Sequence, residues 1–195
     1  MKKLIFILAI VIFSSPLFAQ DHLKIKGVPI DGDITNVVTQ LKAKGLKDHP
    51  LSYALDNPTL IGTFAEIDNC IFAIHTLKDG KSACAVKVIT PDEEKWSSVK
   101  ETYYSLKNQY TSKYGEGDSV EEFKQPYYDG RGFEFRAFNN DQAEFVSRFE
   151  VPDGVIVISI ASSDGVKGNV SILYYDRINF NRFMQERQQA ISDDI

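Results

Sequence analysis

Two stretches of this chain decide its fold: Asp68-Asn69-Cys70-Ile71-Phe72-Ala73-Ile74 leading to Asp79-Gly80, and Asp153-Gly154-Val155-Ile156-Val157-Ile158-Ser159-Ile160 leading to Asp164-Gly165. In each, two turn signals stand eleven residues apart and bracket a strand-like apolar run, and the two copies match at a constant offset of 85 residues. Asp-Gly and Asp-Asn tolerate the positive φ that tight hairpin turns need, and the β-branched residues between them suit a pleated sheet. Strands on either side correspond as well. Phe64 matches Phe149 before the run, and Val86-Lys87-Val88 matches Ser171-Ile172-Leu173 after it.

Each three-strand meander runs on into a helix. Thr90-Pro91-Asp92-Glu93 reads as a capping box with proline at the first helical position. Beyond it, Trp96, Val99, Tyr103, Leu106 and Tyr110 recur at spacings of three and four and make one apolar stripe, which Gly115 terminates. In the second copy Asp176 caps a helix carrying Ile178, Phe180, Phe183, Met184 and Ile191. A further helix precedes the first meander: Asp33 caps it, Ile34, Val37, Val38 and Leu41 form its apolar face, and Gly45 ends it. His22 to Ile30 adds a short edge strand, and 116–140 reads as an irregular connection with one helical turn. The expected fold is therefore α+β. Two βββα units, about 58–114 and 142–192, form a mainly antiparallel six-stranded sheet with three helices packed on one face.

Outward from this core, the N-terminus carries an address. Lys2 and Lys3 precede ten unbroken apolar residues, Leu4 to Phe13, and Ser14-Ser15-Pro16 break the run before Leu17-Phe18-Ala19. That layout reads as a secretory signal peptide over residues 1–19, too short for a membrane anchor, with 20–195 as a single exported domain. No Cys follows the expected cut, so the chain reads as periplasmic or secreted rather than as a lipoprotein. The whole chain has a formal charge of −5, and loss of Lys2 and Lys3 takes it to about −7. An acidic chain without a basic cluster is a poor partner for nucleic acid or anionic lipid.

The caps and turns also carry a resemblance. Gly27-Val28-Pro29-Ile30-Asp31-Gly32, Lys42-Ala43-Lys44-Gly45-Leu46, Trp96-Ser97-Ser98, Lys113-Tyr114-Gly115-Glu116 and Tyr175-Asp176-Arg177-Ile178-Asn179 are similar to a family of uncharacterised secreted or periplasmic proteins of gut bacteria. The resemblance implies export and an α+β fold, and it brings no activity with it.

Chemistry-bearing motifs are sparse. His22, His49 and His75 stand in no metal-ligand spacing. Asp31, Asp33 and Thr35 imitate a calcium loop, but Lys42 occupies the twelfth position where an acid is required. No phosphate-cradling glycine loop, G-x-S-x-G or H-E-x-x-H occurs, so no cofactor, metal or catalytic set is expected. Asp118-Ser119-Val120 resembles a short O-glycosylation acceptor. The exported compartment favours disulfides, yet a three-residue loop at Asp79 would put Cys70 and Cys84 on one sheet face about 13 Å apart, beyond the roughly 7 Å a disulfide spans. Both are expected as free, buried thiols.

The same register leaves Ile71, Ala73, His75, Leu77, Ala83, Ala85, Lys87 and Ile89 on the sheet face away from the helices, joined by Phe64 on the neighbouring strand if its turn has two residues. Phe64, His75 and Lys87 are the candidate binding residues, with His75 depressed by Lys87, and loops or residues 116–140 are the candidate cover. The expected function is a non-catalytic extracytoplasmic binding or accessory protein, whose partner is a protein or small ligand of the cell envelope. The alternatives are a small secreted hydrolase acting on peptide or glycan, an inhibitor of a secreted enzyme, or a structural envelope component.

Overall fold

The computed structural model describes residues 21–50, 52 and 57–193; the signal-peptide reading of 1–19 lies outside the described residues. Strands β1 (Lys24–Ile25) and β2 (Val28–Pro29) form a separate hairpin rather than an edge of the main sheet. After helix α1 (Ile34–Ala43) come β3 (Lys47–Asp48), β4 (Thr59–Phe64), β5 (Ile67–Thr76) and β6 (Ala83–Ile89), then helix α2 (Trp96–Tyr114). The second half comprises β7 (Asp118–Phe123), α3 (Glu134–Asn139), β8 (Ala143–Val151), β9 (Gly154–Ala161), β10 (Asn169–Asp176) and α4 (Arg177–Asp193). The fold is α+β. Its main sheet has eight strands in the order β3-β4-β5-β6-β10-β9-β8-β7, every neighbouring pair antiparallel.

Both expected meanders are present, joined along β6 and β10. The six-stranded, three-helix description falls short by the two edge strands β3 and β7 and one helix, α3. β7 carries no apolar alternation over Asp118 to Phe123 to mark it as a strand; five of the six residues are exposed. Tertiary bonds hold it instead. The Tyr103 hydroxyl on α2 pairs with Ser147 Oγ at 2.6 Å and lies 3.3 Å from Glu121 Oε1. Ser147 in turn meets Ser119 Oγ at 2.9 Å, and Lys107 binds Glu121 at 2.5 Å.

The helix starts show where local and long-range bonding compete. Asp33 caps α1 as expected, accepting the Thr35 N–H at 2.8 Å. The capping box at Thr90 does not form. Thr90 Oγ1 accepts Val170 N–H at 2.9 Å, and Glu93 exchanges both backbone bonds with Gly168. Strand pairing thus extends through Glu93, and α2 begins at Trp96 with no side-chain cap. Its stripe is as expected: Val99, Tyr103 and Leu106 are buried, and Trp96 packs among Phe123, Phe135, Phe138 and Phe145.

The hairpin turns divide likewise. Asp79 accepts the N–H groups of Lys81 and Ser82, and Asp164 those of Val166 and Lys167, so these turns match residue for residue at the 85 offset. Gly80 and Gly165 follow at φ 64 and 72, a region costly for a side chain with a Cβ. The earlier turn is displaced: Ala65-Glu66 close the β4–β5 hairpin, while Asn69 sits inside β5 at φ 59.

Matched positions of β5 and β9, and of β6 and β10, fall on opposite faces, because the displaced first turn shifts the alternation of the first meander against the second, whereas Phe64 and Phe149 are both in the main core. Phe72 is fully buried in the main core, whereas its match Val157 is half-buried on the other side. α1 and α2 cover the first face, with Val37, Leu41, Val99 and Leu106 in the main core. α4 lies on the second, where Phe183 packs on Leu77, Cys84 and Ala85. The expectation of all helices on one face is corrected.

Candidate functional site

The site is built by the start of α4. Asp176, fully buried at the end of β10, accepts Asn179 N–H and Leu23 N–H, each at 2.9 Å. Its first turn is thereby tied to the N-terminal hairpin. His22 completes this staple: Nδ1 lies 3.1 Å from Asp176 and Nε2 3.3 Å from Asp31. Burial raises the Asp31 carboxyl, but the bonds from Asn179 and Gly32 and the nearby charges of His22 and Arg182 outweigh it and hold the group below its ordinary value. From this anchor the helix lays Phe180 against Tyr175, ring centres 4.4 Å apart. It reaches the β5–β6 loop, where Glu186 accepts Lys78 N–H at 3.0 Å.

Between α4 and the sheet remains a groove of about 550 Å³. Leu173 and Tyr175 of β10, Ala85 and Cys84 of β6, and Phe180, Phe183 and Met184 of α4 form its apolar wall. Lys87 and Arg187 supply its charge, His75 adds an imidazole, and no carboxylate among the described residues lines it. His75 is level with Ala85 and Lys87 with Ala73, so the two stand diagonally across β5 and β6, with α-carbons roughly 7–8 Å apart. Burial, with the Lys87 ammonium adding to it, depresses His75 below its ordinary value.

Phe64 belongs elsewhere. It is buried on the α2 side, edge-on to Phe72 and Tyr174 at 6.0 and 6.5 Å. There it lines a separate cavity of about 530 Å³ with Lys24, Lys26, Lys113, Tyr110 and Tyr114. The sheet separates it from His75 and Lys87, because the Ala65-Glu66 turn sets β4 in a register that turns Phe64 inward. The cover over His75 and Lys87 is also corrected. It is α4, whereas the 116–140 segment packs Phe135 into the main core on the opposite face. Arg187 was legible in outline, since it follows Phe180 and Phe183 at helical spacing; what the periodicity lacks is the sheet face on which α4 lands.

The thiols follow the same geometry. β5 and β6 pair as Phe72↔Val88 and Ile74↔Val86, two residues from the expected register, with an irregularity at His75/Thr76. That irregularity turns Ala83 into the main core and Cys84 into the groove wall. Cys70 and Cys84 are both free and buried, on opposite faces rather than on one. Burial first, then Glu186, Asp176 and Asp79, push the Cys84 thiol up to about 11. Its Sγ lies 3.5 Å from the His75 carbonyl oxygen and makes no bond to the imidazole, so the pair lacks the activation a cysteine nucleophile requires. No group of His, Cys, Asp and Glu suited to a metal occurs among the described residues, and none of their helices is long and apolar enough to cross a membrane.

No protein-family model, curated protein or solved structure matches this chain.

Proposed function

We propose that this is an extracytoplasmic, non-catalytic binding or accessory protein that holds its ligand in the groove between α4 and the sheet. The export address rests on residues 1–19 and is supported by the similarity of the caps and turns to secreted proteins. One observation carries the binding reading. His75, Lys87 and Arg187 meet beside a continuous apolar wall, and neither Lys87 nor Arg187 forms an ion pair with the described residues. Cations without an ion-pair partner among the described residues, set beside apolar surface, suit recognition, since a folded protein gains little by holding them there for itself.

The test is native mass spectrometry of protein exported by a bacterial host with its own residues 1–19. A mature chain starting at Gln20 and carrying a small-molecule adduct is expected, with the adduct lost in Lys87→Ala at unchanged circular dichroism. A chain retaining residues 1–19 in the cytoplasm overturns the export reading. An adduct that persists in Lys87→Ala, or the absence of any adduct, overturns the groove as its site.

A further inference from the structure

Resting on that reading, we infer that the ligand is a single-chain anionic amphiphile, its acidic head at Lys87, Arg187 and His75 and its apolar chain along Leu173, Tyr175 and Phe180. The head requirement comes from the charges. The chain as a whole is acidic, at −5, yet among the described residues the groove lining contains a Lys, an Arg and a His and not one Asp or Glu. Glu186, adjacent to Arg187, does not line the groove and is bonded to Lys78 N–H. An anion entering here meets donors of complementary kinds: a planar guanidinium that grips an oxyanion through two bonds, a compact ammonium, and an imidazole.

The tail requirement comes from the wall. Leu173, Tyr175, Phe180, Phe183 and Met184 are all partly exposed around the groove, so a chain laid against them removes apolar surface on both sides from water. Met184 and Phe183 belong to α4 alone, and a thioether adapts to chains of different length. The volume of about 550 Å³ falls in the range of small-molecule sites. A cationic or neutral amphiphile satisfies the wall and leaves the three basic groups without a partner. A compact inorganic anion does the reverse.

Isothermal calorimetry with decanoate, decanol and decyltrimethylammonium, all below their micelle concentrations, tests this on the mature protein and on Lys87→Ala and Arg187→Glu. Arg187 is exposed, so its charge reversal leaves the fold intact. Decanoate is expected to bind at least about ten-fold more tightly than decanol, with decyltrimethylammonium weakest, and each variant should lose about ten-fold toward decanoate alone. Decanol equal to decanoate, with both variants silent, overturns the anionic ligand class while leaving groove binding intact. Failure of all three probes, together with retention of any co-purified adduct by Arg187→Glu, overturns the groove reading itself.

Discussion

The two faces of one sheet differ in both composition and covering, and they have opposite fates. On the α1/α2 side, Phe72, Ile74, Val86, Val88, Ile156, Ile158 and Ile172 are fully buried. On the α4 side a row runs across seven strands, Ile61, Ile71, Ile89, Ser171, Ser159, Val146 and Val120, and most of it stays partly exposed. Only at Ser171, in the centre of the sheet, does this row reach full burial, and its hydroxyl is bonded to Ser159 at 2.9 Å. The covering widens a contrast that strand composition begins, since the α4 side carries Ser159, Ser171, His75 and Lys87. Two helices with the Trp96 aromatic cluster seal one side, whereas α4 crosses the other near the β5–β6 loop and leaves a groove. A sealed face stabilises; a half-sealed face leaves surface for recognition.

Three substitutions probe that contrast, the largest expected effect first. Phe72→Ala empties a fully enclosed site and should cost about 3–5 kcal/mol by urea denaturation. A cost near 1 kcal/mol would mean the α2 side is no better packed than the α4 side. Phe183→Ala removes the ring that α4 lays on Leu77, Cys84 and Ala85, a partly exposed contact, and should cost about 1–2 kcal/mol. If it matches Phe72→Ala, α4 seals its face as fully as α2 does.

The smallest effect concerns pH. His75 is depressed in the folded chain, so the unfolded chain binds its proton more readily. That contribution to stability is present in full above about pH 6.5 and is lost as pH falls below it. Denaturation midpoints of wild type and His75→Gln should therefore diverge between pH 7 and pH 5, the variant losing less. Parallel curves would mean that solvent reaches His75 freely and that the groove is open at that end.

Local chemistry made much of this legible. The Asp79 and Asp164 turns, the Asp33 and Asp176 caps and the α2 stripe depend on neighbours within a few residues, and each formed where its pattern lay. Thr90 and Glu93 went the other way because Val170 and Gly168, roughly eighty residues off, offered sheet bonds that an isolated capping box cannot match. β7 was hidden for a related reason, as its polar residues are held by Tyr103, Ser147 and Lys107 rather than by burial. Of the candidate site, His75 and Lys87 were readable because strand alternation places both on one face, and the register error of two residues preserved that parity. Phe64 was not readable, because its face depended on a turn that formed at Ala65-Glu66.

Sequence alone therefore determined the class of fold, the two meanders and the shared face of His75 and Lys87, all of which follow from short-range turn chemistry and a period of two. Tertiary structure alone decided that α4 crosses to the face opposite α2 and brings Arg187, Phe180 and Phe183 to that pair. An amphipathic helix records that it has an apolar side, but the surface that side meets is set by the buried Asp176 staple to Leu23, His22 and Asn179, contacts between residues as many as 154 positions apart.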